Sequence, residues 1–103
     1  MRFIYHPGAL GEYADAALHY DERVPGLGAD FTKEVDAAIA RILQAPDRWR
    51  CLEDDIRRCL VHRFPYGVLY TIEEGYVLIV AVMHLSREPG YWRDRIPFRP
   101  PGA

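Results

Sequence analysis

The pattern of apolar and polar positions changes period along the chain, and the changes mark its elements. Residues 76–83 (YVLIVAVM) form an uncharged run rich in Val and Ile. An apolar run of that length between turn signals predicts a strand buried on both faces. Glu73-Glu74-Gly75 precedes it as a turn, where Gly is free to take positive φ, so residues 66–72 should pair antiparallel with it. Residues 56–64 supply a third strand, with Pro65 and Gly67 marking the turn between. Earlier in the chain the period is helical. Leu10, Tyr13, Ala14, Ala17, Leu18 and Tyr20 recur at helical spacing over 9–23. Val24-Pro25-Gly26-Leu27-Gly28 breaks that pattern, because Pro and Gly both end helices. A second helix is predicted over 29–44, with Phe31, Val35, Ala38, Ile39 and Ile42 on one face, and Ala45-Pro46 stops it. Arg2–Tyr5 reads as a short strand closed by His6-Pro7-Gly8.

The resulting order is strand, helical hairpin, then a three-stranded antiparallel meander. This predicts an α+β fold with the helices on one face of the sheet, in two layers. The short link between the helices makes their hairpin antiparallel. Leu10, Ala14, Ala17, Phe31, Val35, Ile39 and Ile42 should pack on Val77, Ile79 and Ala81. The 76–83 strand should be central with the N-terminal strand beside it, leaving 56–64 as an edge softened by Arg and His. Residues 47–55 read as a loop pinned to the core by Trp49, and 99–102 as a loose tail.

Composition narrows the class. A chain of 103 residues is expected to form one domain, 1–103. No run approaches the ~18 apolar residues of a membrane span, and the strand-like start MRFIYH has no signal-peptide core, so a cytoplasmic location without membrane is expected. Cys51 and Cys59 lack a CxxC spacing and are expected as free thiols, one of them buried. His6 and His19 have no partners at metal spacing, so no metal or other cofactor is expected. Residues 1–47 carry four basic and eight acidic groups, whereas 48–103 carry nine arginines and seven acids. The helical half is thus acidic and the sheet half mildly basic. A pI near 6.0 is far from the strongly basic balance with which a domain neutralises phosphates.

Four stretches together carry a resemblance: Tyr20-x-x-x-x-Pro25-Gly26-Leu27-Gly28-x-x-Phe31, Ile56-Arg57-Arg58, Arg63-Phe64-Pro65-Tyr66, and His84-x-x-Arg87-x-Pro89-Gly90-Tyr91-Trp92-x-x-Arg95. In order and spacing they resemble the RelE/ParE toxin superfamily, and more closely its plasmid stabilisation branch. The resemblance implies a RelE/ParE-like two-layer fold and a toxin of a type II toxin–antitoxin pair, held inactive by a cognate antitoxin. It also implies one of two activities: cleavage of mRNA on the ribosome, or poisoning of DNA gyrase.

Metal-free RNA cleavage needs a group to activate the 2′-hydroxyl, cations for the phosphorane and an acid for the leaving oxygen. The nuclease pattern of the superfamily has lysines on the second strand, an arginine in a Tyr-Arg-x-x-Tyr run, and an Arg with a Tyr near the C-terminus. Only the last pair is matched here, by Arg87 and Tyr91. The central run is Tyr66-Gly67-Val68-Leu69-Tyr70, with Gly in the place of the Arg, and the second strand offers Arg57, Arg58, His62 and Arg63 without lysine. Histidine is the side chain suited to proton transfer near neutral pH, which makes His84 the candidate base. A nuclease would therefore rest on Arg87, Tyr91, His84, Arg63 and Arg58. Each also has a plainer role. The strand arginines suit a solvated edge, Arg87 could hold the C-terminal segment or pair with Asp94, and Tyr91 with Trp92 could plug the sheet edge.

Three classes of function follow. The first is a toxin that acts by binding a target such as gyrase, which needs no catalytic set. The second is a nuclease acting on ribosome-bound mRNA. The third is a toxin-fold protein without toxicity that remains an antitoxin partner. The missing nuclease residues favour the first and third over the second.

Overall fold

The computed structural model describes residues 1–102. Its elements in chain order are β1 (Arg2–Tyr5), α1 (Pro7–Arg23), α2 (Leu27–Gln44), β2 (Cys51–Glu53), β3 (Ile56–Leu60), β4 (Tyr66–Glu73) and β5 (Tyr76–His84), with single 3₁₀ turns at Pro46–Arg48 and Arg93–Arg95. They form the expected α+β arrangement, with one sheet in the order β1-β5-β4-β3-β2. β5 is buried from Val77 to Met83, as its unbroken apolar run requires. β4 pairs antiparallel with it from Tyr66↔His84 to Glu73↔Tyr76, and Gly75 closes the hairpin at φ +85°. β1 lies parallel along the other side, from Arg2↔Tyr76 to Tyr5↔Ile79.

Three expectations are corrected. The strand over 56–64 ends at Leu60, because Arg63 takes φ +69° and the chain turns towards Pro65. Cys51–Glu53, expected within a loop, forms β2 and is the outermost strand. A bulge between Leu69 and Tyr70 gives β5 one extra residue, so Val80 and Ala81 both turn away from the helices. Ala81 therefore packs in the cluster with Leu69, Leu78 and Trp92, while Val77 and Ile79 meet Phe31, Val35, Ile39 and Ile42.

The face of α1 also differs from expectation. Leu10 is 49% exposed and Ala14 is exposed, whereas Ala9 and Ala16 are buried and Tyr13 and Tyr20 pack on the core. Large apolar side chains outweighed small ones in the sequence pattern, but α1 lies so close to the sheet that its inward positions suit alanine. The turn into α2 explains the Pro-Gly-Leu-Gly motif. Asp21 Oδ1 accepts from the Gly26 and Gly28 N–H groups at 2.9 and 3.1 Å, capping α2 from its neighbour. A Cβ at Gly28 would collide with the Ala17 carbonyl oxygen, so only glycine permits this approach of the two helices.

The far face of the sheet is also covered. Residues after β5 fold back over it, with Trp92 buried and Tyr91, Ile96 and Phe98 partly so against Ile56, Leu69, Leu78 and Met83. Arg93 fastens this segment to β2 through two nitrogens on the Glu53 carboxylate, at 3.0 and 2.7 Å. Cys51 is exposed and Cys59 buried, both as free thiols. Among the described residues no helix is long and apolar enough to cross a membrane.

Candidate functional site

β1 is too short to cover β5, and what covers the remainder builds the site. The last ladder bond runs from the His6 N–H to the Ile79 carbonyl at 2.9 Å. Past it, side chains take over. Arg95 Nη1 donates to the Val80 carbonyl at 2.9 Å, and the Val82 N–H donates to Glu12 Oε1 at 3.0 Å. The two side chains also bind each other, with Arg95 reaching both Glu12 oxygens at 2.9 and 3.2 Å. The Tyr91 hydroxyl donates to Glu12 Oε2 at 2.5 Å. One carboxylate from α1 therefore receives a backbone amide, a phenol and a guanidinium. The pair is only 16% and 17% exposed.

Beside this lock lies a cleft of about 280 Å³. Glu12, Asp15 and His19 line it from one face of α1, at the three- and four-residue spacing of a helix. Tyr66, His84, Arg87 and Tyr91 also line it. Burial, the hydrogen bond to Glu12 and the Glu12 charge together hold the Tyr91 phenol well above its ordinary pKa. That phenol is a committed donor at neutral pH and cannot serve as a base. His84 Nδ1 accepts the Ser86 N–H at 3.0 Å. A nitrogen that accepts a backbone N–H has no proton of its own, so the proton of the neutral ring is on Nε2. His84 thus presents a donor to the cleft where a general base would need a lone pair. Arg87 is exposed, makes no ion pair among the described residues, and lies 4.0 Å over the Tyr91 ring. It does not pair with Asp94.

The sequence-predicted residues divide accordingly. His84, Arg87 and Tyr91 share the cleft. Arg63 does not join them; its guanidinium sits 3.5 Å from Asp30 on α2. Arg58 lies on the opposite face of the sheet, where its stem fills the space a Cβ at Gly67 would need, 2.9 Å from Cδ. Position 67 thus faces away from the cleft. Glu12, Asp15 and His19 went unread in the sequence because each looks like the solvated side of an amphipathic helix. The available signal was that Glu12 falls between Ala9 and Ala16, on the face where α1 is smallest.

Residues 3–89 match the family described as ParE toxin of type II toxin-antitoxin system, parDE. No protein of curated function matches the chain. Among solved structures it is similar to one titled Chromosomal ParDE TA system from P. aeruginosa, with a TM-score of 0.73 and 11% identity, over 82% of this chain and 96% of that one. At that identity the likeness is one of fold.

Proposed function

This chain belongs to the ParE toxin family of type II toxin–antitoxin systems, and from that premise we propose that it arrests growth by binding a protein target such as DNA gyrase. On this reading the protein works in the cytoplasm as the toxin of a plasmid stabilisation pair, and a cognate antitoxin neutralises it by direct binding. One observation carries the preference for binding over RNA cleavage: the cleft that holds Arg87, Tyr91 and His84 also holds the Glu12 carboxylate, to which Tyr91 and Arg95 are already tied. A scissile phosphate there would meet two carboxylates, Glu12 and Asp15, against one unpaired guanidinium. It would find no lone pair on the outward nitrogen of His84.

A nuclease acting on ribosome-bound mRNA is the second reading, favoured by the meeting of His84, Arg87 and Tyr91 in one cleft. The two readings separate in a single induced culture, grown with and without the antitoxin. Gyrase poisoning gives double-strand breaks and a DNA-damage response without new mRNA 5′ ends, and Arg87→Ala retains activity. Cleavage gives codon-phased ends, and Arg87→Ala lowers it on the order of 10²–10³-fold through loss of one phosphate contact. Codon-phased cuts without DNA damage would overturn the binding reading. Growth unaffected by induction would leave an antitoxin partner without toxicity.

A further inference from the structure

The two ends of the sheet differ in what they leave open. At one end β2 carries a bulge between Cys51 and Glu53. Past Arg57 nothing pairs outside β3, and Arg48, Arg50 and Arg58 stand beside it. A bulge and like charges both discourage pairing with another copy of the same edge. At the other end β1 has neither. It is regular, it pairs only with β5, and Phe3, Ile4 and Tyr5 carry no charge.

The direction of its free backbone groups follows from the ladder. The His6 N–H bonds to the Ile79 carbonyl at 2.9 Å, so strand alternation also turns Arg2 and Ile4 towards β5. The N–H and C=O groups of Phe3 and Tyr5 therefore point outward. Their side chains share the helical face of the sheet. Tyr5 packs on the core beside Tyr13, and Phe3 meets Tyr5 edge-on with ring centroids 5.5 Å apart. Phe3 remains 39% exposed, over a groove of about 320 Å³ that Asp36, Ile39, Ala40 and Leu43 line from α2.

Those features suit a second copy of the chain. A two-fold axis at Ile4 sets Phe3 of one copy opposite Tyr5 of the other, and each such pair exchanges its outward N–H···O=C bonds. Ile4 then faces Ile4 and Arg2 faces His6, so the strands bring no two guanidinium groups and no two carboxylates together. The four aromatic rings lie side by side above the ladder, where cross-strand aromatic pairs are favourable. Each copy supplies both an exposed ring and an apolar groove, the self-complementarity that an isologous contact needs. A foreign strand would match only the outward groups of two residues, whereas a second copy adds its own Phe3 and α2 wall. We propose that β1 is a self-association edge, where two copies pair antiparallel through Phe3 and Tyr5 and join their five-stranded sheets into one. The contact is small, below about 1,200 Å² in total, which places it among weak and transient interfaces. The inference does not depend on the toxin reading.

The test uses the purified full chain and no growth assay. Sedimentation velocity should show a monomer–dimer equilibrium with a dissociation constant on the order of 10–100 μM. Hydrogen exchange should slow with concentration at the Phe3 and Tyr5 amides and not at Ile4, whose N–H already faces β5. Phe3→Lys sets two like charges at the junction and should weaken the dimer roughly tenfold or more, with a melt to establish that the fold persists. Ala40→Glu, on the exposed wall of the groove, should weaken it as well and reads the same contact without touching β1. Arg50→Ala, at the opposite end of the sheet, should leave the equilibrium unchanged. The proposal is overturned if the chain stays monomeric to about 1 mM, if a dimer forms without protecting the two amides, or if neither Phe3→Lys nor Ala40→Glu weakens it. Protection of the same amides in a monomeric chain by an unrelated peptide of alternating Thr and Val would also overturn it, and would assign the edge to a foreign strand.

Discussion

Arginine stands at both edges of this sheet, to opposite effect. Beside β5, Arg95 is bound to Glu12 and to the Val80 carbonyl, and Arg87 is stacked on Tyr91. Beside β3, Arg48, Arg50 and Arg58 have no carboxylate and no ion pair among the described residues. In the first group Arg95 completes a strand that β1 leaves uncovered, so its charge is neutralised within the fold, while Arg87 is held only by the Tyr91 ring. The second surrounds a strand that nothing completes, so its charge faces outward. The contrast teaches that an arginine near a plausible site says little until its partner is known. The cleft carries the residues that most resemble a catalytic set, yet its Glu12 carboxylate is already taken up by Tyr91 and Arg95.

Breaking the lock should have the largest effect. Glu12→Ala removes the acceptor for Val82, Tyr91 and Arg95 at once, leaving a guanidinium little exposed and unpaired. Loss of one partner from a buried pair costs about 3–5 kcal/mol, and the same range is expected here by denaturant unfolding. Glu12→Leu with Arg95→Met should recover part of the loss, since replacing both partners leaves no unpaired charge. If Glu12→Ala unfolded at the wild-type midpoint, the β5 edge would not be closed as described.

Tyr91→Phe is the finer test of the same region. It removes one hydrogen bond to a carboxylate, a class worth about 1.5–3 kcal/mol, and leaves the ring beneath Arg87 in place. The loss should be smaller than that of Glu12→Ala and should nearly vanish in the Glu12→Leu background, because the two share one carboxylate. Full additivity would mean that the phenol is held by something other than Glu12.

The sequence displayed the centre of this molecule better than its margins. The β4–β5 hairpin and the second helix were legible because each follows a strong period: Val77, Leu78, Ile79 and Val80 are unbroken, and Phe31, Val35, Ile39 and Ile42 repeat on one face. The inward face of α1 was misread because burial there follows proximity, which selects Ala9 and Ala16 over Leu10. β2 escaped notice because Cys51, Leu52 and Glu53 are a short edge with no periodicity to detect. Glu12 was hidden for a different reason. Its partners Tyr91 and Arg95 are about eighty residues away in sequence, and no local pattern joins them. The arginines of the two edges look alike in sequence, and only the fold distinguishes engaged from free.

A smaller effect is expected from acid. His6 caps α1, its Nδ1 accepting the Gly8 N–H at 2.9 Å. Burial first, then the Arg95 charge, lower its pKa below the usual histidine value. The unfolded chain therefore binds this proton more readily than the folded one. The contribution is fully present above the unfolded pKa of about 6.5 and declines as pH falls through that value, when protonation also removes the cap acceptor. His6→Asn keeps an acceptor that does not titrate, so its stability should vary less with pH on the acid side of neutrality. Equal slopes for the two proteins would show that the Arg95 side of the molecule is insensitive to this group.

The smallest stability change belongs to the open edge, and there its smallness is the point. Arg50 is exposed and has no ion pair among the described residues, so Arg50→Ala should leave stability within about 0.5 kcal/mol of wild type, as for surface positions without a structural partner. Arg95→Ala should instead destabilise the fold, because it strips Glu12 and the Val80 carbonyl of their partner. Thermal melts of these two variants should therefore diverge. If Arg50→Ala destabilised the protein as much as Arg95→Ala, the β3 arginines would be holding the fold together, and the distinction between the two edges would be lost.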